Sequence, residues 1–103
     1  MAGRFEYRFE WDPAKAASNA KGHGVTFEQA ATVFLDAQLL SQLDEEHGED
    51  EERWLSLGRD RATRLLVVCH TYRDETPQGA TIRIISARRA TRRESKVYEG
   101  REP

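Results

Sequence analysis

Phe5, Tyr7, Phe9 and Trp11 alternate with Arg4, Glu6, Arg8 and Glu10. A period of two with every aromatic on one side predicts a half-buried strand. It stops at Asp12-Pro13, where aspartate can accept from the free amides of a helix start and proline fits the first helical position. An alanine-rich helix over roughly Pro13 to Lys21 follows, and Gly22-His23-Gly24 ends it. Thr26 and Gln29 then form a capping box. Phe27, Ala30, Ala31 and Phe34 have helical spacing, giving a second short helix to about Asp36, close enough to the first to make a two-helix hairpin.

Beyond Asp36 the period returns to two. Leu39 to Leu43 is a weak strand, and Arg53 to Gly58 another, with Trp54 on one face and Leu55 and Leu57 on the other. Leu65 to Tyr72 is apolar on both faces for its first five residues, which predicts a central strand. Ala80 to Ala87 points Ile82 and Ile84 one way, Arg83 and Ile85 the other. The linkers Asp60–Thr63 and Asp74–Gly79 are short and rich in turn formers, so sequential hairpins are expected. A short helix over Ala90 to Glu99, docked through Val97 and Tyr98, closes the chain. The order β-αα-ββββ-α predicts one α+β domain across residues 1–103, an antiparallel meander with helices packed on it.

Composition narrows the class. Charged residues are 33% and hydrophobic residues 38% of 103, a globular balance with room for one core. No apolar run approaches the roughly 20 residues of a membrane span, and the charged start does not read as a signal peptide. Cys69 is the only cysteine, so a disulfide framework is excluded and a cytoplasmic setting expected. The net charge of −2 conceals a split: Asp44 to Glu52 holds seven carboxylates, and Arg83 to Lys96 six basic residues against Glu94. Fields depend on where charge sits, so the second segment can attract a polyanion despite the acidic total. The alternative is two solvated stretches that compensate each other.

Several segments together resemble the BrnT family of ribonuclease toxins. They are Phe9-Glu10-Trp11-Asp12-Pro13 with Lys15 and Asn19, His23-Gly24-Val25 with Phe27-Glu28-Gln29-Ala30 and Val33-Phe34, and Glu52-Arg53 with Gly58. Leu66-Val67-Val68 and Arg83-Ile84-Ile85-Ser86-Ala87-Arg88-Arg89-Ala90 with Glu94 and Tyr98 complete the set. The resemblance implies a RelE-like fold and a ribonuclease that arrests translation. It further implies neutralisation by a BrnA-like antitoxin with a ribbon-helix-helix DNA-binding domain, so that operator DNA is reached only through that partner. One departure stands out. The family carries Lys-His-Gly after its first helix, whereas here Gly22 precedes His23 and the lysine is Lys21. A shift of one residue rotates a helical side chain by about 100°.

Cutting RNA without a metal or cofactor needs a base for the 2′-hydroxyl, positive charge for the transition state and an acid for the leaving oxygen. Arginine suits the middle role, because its planar fork matches phosphate oxygens. Arg83, Arg88, Arg89 and Arg92 are the candidates. Simple alternation puts Arg83, Ala87 and Arg89 on one strand face and Ser86 and Arg88 on the other, with Arg88 re-aimed by the turn into the last helix. Arg83 and Arg88 are favoured as catalytic, Arg89 and Arg92 as substrate-binding. Their competing use is to pair with Asp44–Glu52 or with an acidic antitoxin surface.

His23 is the candidate acid or base, since imidazole titrates near neutrality, and its competing use is to cap the first helix. His70 reads as a hydrogen-bonded core or edge residue. Lys15 and Asn19, four apart on one helical face, can hold a phosphate and a base edge with Lys21 nearby. They can equally brace the fold. Cysteine and histidine spacing indicates no metal site. The same surface would also serve a non-catalytic module, a degenerate toxin or a corepressor, whose only task is to bind a protein.

Overall fold

The computed structural model describes residues 5–46 and 51–100; His47 and the centre of the acidic loop lie outside them. Strand β1 (Glu6–Glu10) leads into helices α1 (Pro13–His23) and α2 (Phe27–Ala31) and a 3-10 turn (Thr32–Leu35). Strands β2 (Leu40–Asp44), β3 (Arg53–Arg59), β4 (Leu65–Thr76) and β5 (Gly79–Arg89) follow, then helix α3 (Arg92–Gly100). One five-stranded sheet has the order β1-β5-β4-β3-β2. β4 is therefore central, as its two apolar faces require.

The sheet corrects the expected all-antiparallel meander. β2 to β5 do run as one, but β1 lies parallel to β5, from Glu6 opposite Gly79 to Glu10 opposite Arg83. Alternation records which face a strand buries and carries nothing about its neighbour's direction. Gly79 makes this pairing feasible, because a Cβ there would lie 2.0 Å from the Glu6 carbonyl oxygen.

α1 begins as its sequence directs. Asp12 Oδ1 accepts the Ala14 N–H at 3.1 Å and Pro13 occupies the first turn. It ends at Gly24, left-handed at φ 69°, whose N–H donates to the Ala20 carbonyl at 2.9 Å. Gly22 and His23 are thus in the last helical turn instead of beyond it. In α2 both capping-box bonds form, Gln29 N–H to Thr26 Oγ1 at 3.0 Å and Thr26 N–H to Gln29 Oε1 at 2.9 Å. The helix soon tightens into the 3-10 turn, so the second helix is shorter than its apolar spacing implies.

One face of the sheet packs on α1, α2 and the 3-10 turn. Val25, Phe27, Ala30, Val33 and Phe34 meet Leu66, Val68, Ile82, Ile84 and Ala87 there. Each large apolar side chain buried in this layer contributes roughly 1.5–3 kcal/mol. One attachment of α3 to the rest of the molecule runs through Asp36. That carboxylate accepts from the main-chain N–H of Arg59 and of Gln38, both at 2.8 Å, and from the Tyr98 hydroxyl. The Arg59 guanidinium lies over the Tyr98 ring, 5.2 Å from its centre. Tyr98 is buried while Val97 stays 51% exposed, so the helix docks through the tyrosine and not through both residues as expected. Among the described residues no helix is long and apolar enough to cross a membrane.

Candidate functional site

β1 leaves the sheet after Glu10, and the second half of β5 has no strand on that edge. α1 fills the gap, and one side chain replaces the missing ladder. Asn19 Nδ2 donates to the Ala87 carbonyl at 2.8 Å, and Oδ1 accepts the Ala87 N–H at 3.0 Å. The second amide hydrogen goes to the Val25 carbonyl at 3.0 Å. Backbone groups buried without partners are costly, so Asn19 solves a problem created by the end of β1. It is buried and committed to main chain, the bracing use.

The next feature overturns the alternation expected along β5. His70 lies opposite Ile84 but Cys69 lies opposite Ser86, so Ile85 is an extra residue, a β-bulge. A bulge moves every later side chain to the other face. Ile84 and Ala87 consequently both face the helices, and Arg83, Ser86 and Arg88 share the opposite face. Arg89 turns to the helical side of the sheet. The bulge, and not the turn into α3, brings Arg83 and Arg88 together.

On that open face Arg83 Nη1 lies 3.2 Å from Glu10 Oε2, and Arg73 Nη1 lies 3.5 Å from the same oxygen. Arg73 Nε also reaches Glu51 at 3.9 Å. These side chains are between a third and a half exposed, so water screens the pairs and their contribution to stability is small. Two guanidinium groups share Glu10, and Glu51 lies at the outer reach of Arg73, so the four groups balance in formal charge. Thr71 and Cys69 form the floor beside it, both buried. Burial pushes the Cys69 thiol up and Asp44 adds to the shift, while Arg53, a hydrogen bond with Ser86 and Lys15 oppose it. Lys15 is exposed in the first turn of α1.

Arg88 is differently placed. Its Nη1 and Nη2 donate to Glu94 Oε1 and Oε2 at 2.8 and 2.9 Å, a two-pronged pair. Glu94 also accepts the Thr91 N–H at 2.8 Å and returns its own N–H to Thr91 Oγ1 at 3.1 Å, a capping box for α3. The hydrogen bonds from Arg88 hold the Glu94 carboxyl at about 2, and the same pairing raises the Arg88 guanidinium. Arg88 thus fastens α3 to β5.

The remaining sequence candidates are dispersed. Lys21 and His23 are exposed at the far end of α1, with His23 about 12 Å of helical rise beyond Lys15. The cap there is made by Gly24, and the His23 ring faces solvent. A Cβ at Gly22 would meet nothing within 4 Å, so that departure from the family pattern opens no structural gap. Arg92 is exposed in the first turn of α3. Among the described residues the carboxylates that pair with Arg83 and Arg88 are Glu10 and Glu94, and Glu51 of the acidic segment reaches Arg73.

Sequence reasoning passed over Glu10 and Arg73. Glu10 was legible, since alternation with Phe9 and Trp11 puts it on the face opposite the aromatics. Arg73 was not, because β4 appeared to end at Tyr72. The sequence reading of His70 as a core residue fits its place: it is buried, and its Nε2 lies 2.7 Å from Ser56 Oγ, itself 2.8 Å from Ser41 Oγ.

Comparison with known proteins accords with the architecture. A search of curated proteins finds no match. The crystal structure of the ribonuclease toxin BrnT from Brucella abortus superposes with a TM-score of 0.58 at 18% identity, covering 84% of this chain and all of that one. At this identity the likeness establishes a shared fold. The family model described as ribonuclease toxin, BrnT, of type II toxin-antitoxin system matches residues 11–94, which include α1, α2, β2 to β5 and the Arg88–Glu94 pair. The chain therefore belongs to the BrnT family of type II toxin–antitoxin systems, a family of ribonuclease toxins.

Proposed function

We propose that this chain is a metal-independent endoribonuclease that cuts RNA on the open face of its sheet, around Arg83, and that a BrnA-like ribbon-helix-helix antitoxin neutralises it. The observation that carries the reading is the convergence of Arg83 and Arg73 on the single carboxylate of Glu10. A phosphate entering there meets a fork of N–H donors whose counter-charge is already shared. Glu10 is placed to take the 2′-hydroxyl proton. The freed oxygen attacks phosphorus, the 5′-oxygen leaves, and a cyclic phosphate remains. Arg83 stabilises the extra charge on the non-bridging oxygens, and Lys15 is the candidate ammonium to protonate the leaving group.

Arg88 serves by fixing α3, and Asn19 by fixing β5. Lys21, His23, Arg89 and Arg92 lie outward from the cluster, where backbone phosphates of a longer RNA pass. His23 is the alternative acid if the substrate bends along α1. The RelE-like ancestry, translation arrest in the cytoplasm and operator binding through the antitoxin all belong to this reading.

RNA integrity after induction of the chain alone tests it, with folded Arg83→Ala and Glu10→Gln variants alongside. Cleavage by the wild type, lost in both variants, supports the assignment. One observation favours a second reading: each arginine of the cluster already has a carboxylate partner. In that case the face only holds a protein, and a folded wild-type chain leaves RNA intact.

A further inference from the structure

The helical layer is too short to cover the face on which it packs. Phe34 ends it, meeting Tyr7 at 6.0 Å, Phe9 at 5.7 Å and His70 at 4.9 Å between ring centres. Past Phe34 the same sheet face continues through Tyr7 on β1, Ala80 on β5, Tyr72 on β4 and Trp54 on β3. Trp54 and Tyr72 stand edge to face at 5.8 Å, as do Phe5 and Tyr7 at 5.2 Å. Together these side chains line a groove of about 410 Å³ whose remaining walls are Glu52 and Glu75. Phe5 is 54% exposed and Tyr7 38%. Neither Glu52 nor Glu75 has a cationic partner among the described residues. The Tyr72 hydroxyl is pushed up by burial first, then by Tyr7 and Glu75, so the groove resists further negative charge.

This chemistry selects its occupant. Two carboxylates without a cationic partner among the described residues repel a phosphate chain, which separates the groove from the basic cluster on the other face. Aromatic faces attract a cation, and carboxylates on either side add to the attraction. Tyr and Trp in a concave patch are also the residues that most often carry protein affinity. We propose that the groove is a docking site for a basic segment of the antitoxin. An arginine or lysine of that segment is held between Glu52 and Glu75 and lies over the rings of Tyr7, Tyr72 and Trp54. The inference rests on the toxin–antitoxin reading for its partner but is independent of where RNA is cut. It places antitoxin contact on the face opposite Arg83, so that docking and active-site cover are separable.

The test is titration of the cognate antitoxin onto the wild-type chain and onto a Glu52→Lys, Glu75→Lys variant, by calorimetry, with RNA cleavage measured on both. Both glutamates are exposed, so reversal leaves the core untouched. Affinity is expected to fall on the order of 10- to 100-fold, with cleavage by the free chain unchanged. A Glu52→Gln, Glu75→Gln variant should lose less affinity and show a shallower dependence on salt. Unchanged antitoxin affinity in the reversal variant overturns the proposal. So does a wild-type chain that runs as a dimer which the reversal variant breaks, because the occupant is then a second copy. A wild type that cleaves no RNA defeats the ribonuclease reading alone, and the affinity comparison still decides the groove.

Discussion

The two faces of the sheet handle polar groups in opposite ways. In the core of the helix-covered face the buried polar groups are neutral and tied to fixed partners: Asn19 to main chain, His70 to Ser56 and Ser56 to Ser41. On the open face the polar groups of the cluster are charged, half in water and shared, with Arg83 and Arg73 on one carboxylate. A low-dielectric layer favours polar groups that are uncharged and partnered, although His70 Nδ1 has no partner among the described residues. A solvated face can hold guanidinium groups in loose, exchangeable pairs, and a phosphate can take the place of their carboxylate partners. Stability should therefore respond to changes on the covered face and activity to changes on the open one.

The largest effect expected is on activity. Arg83→Ala should lower RNA cleavage on the order of 10²- to 10³-fold, the scale set by removing one preorganised donor from a transition state. Its unfolding free energy in urea should stay within about 0.5 kcal/mol of wild type, because a half-exposed pair with Glu10 contributes little to folding. Loss of stability in step with activity would erase the distinction between the faces. Measuring cleavage rate and urea denaturation on the same preparation is enough to decide.

Asn19→Ala should do the reverse. It strands the Ala87 N–H and carbonyl and the Val25 carbonyl, and each buried orphan costs about 1–3 kcal/mol before relaxation or entry of water. A loss of about 3 kcal/mol in urea is expected. Asn19→Asp should also destabilise, since a carboxylate cannot donate to the two carbonyls. A neutral outcome for both would mean that α1 does not seal the edge of β5.

Acid sharpens the same contrast. Burial beside Phe34 and Tyr72 pushes the His70 imidazole down to about 4, with the Thr71 main chain opposing. The unfolded chain holds this residue near 6.5, so between pH 6.5 and 4 the unfolded state binds more protons. Stability is then complete above pH 6.5 and falls as pH drops, by up to about 3 kcal/mol once pH 4 is passed. A His70→Gln variant, whatever its starting stability, should show a flatter profile across that window. An unchanged profile would assign the acid sensitivity to the carboxylates.

Much of the covered face was legible in the sequence, and little of the open one. The aromatic alternation of β1, the Asp12-Pro13 start, the Thr26–Gln29 box and the apolar stretch of β4 each report on burial, and burial decides local structure. Two features escaped because they depend on pairing. The parallel docking of β1 leaves no trace in its own period. The bulge at Ile85 reverses the sense of alternation without changing residue types, so Arg83 and Arg88 seemed to diverge. Arg83-Ile84-Ile85-Ser86-Ala87-Arg88 read at strict period two cannot show that Ile84 and Ala87 both face the helices. The Asn19 spacing from Lys15 was visible, but its partner, 68 residues away, was not.

The smallest effect expected concerns the one open-face arginine that is locked. Arg88 and Glu94 form two short hydrogen bonds, and Glu94 also caps α3, so its replacement should fray that helix without unfolding the sheet. Glu94→Ala should cost about 1 kcal/mol, the usual scale of a lost helix cap, with Arg88→Ala similar or smaller. A double-mutant cycle separates the pair from the cap: the coupling between Arg88 and Glu94 should be a fraction of the Glu94 effect, because the Thr91 bonds survive Arg88→Ala. The Glu94 carboxyl sits at about 2 against its ordinary 4.5, so whatever it contributes is present above pH 4.5 and lost as pH falls toward 2. That window lies mostly below the one set by His70 and overlaps it only between pH 4.5 and about 4. If Arg88→Ala nevertheless abolishes cleavage while α3 stays folded by amide exchange, Arg88 must leave Glu94 for the substrate. The open face would then hold two catalytic arginines in place of one.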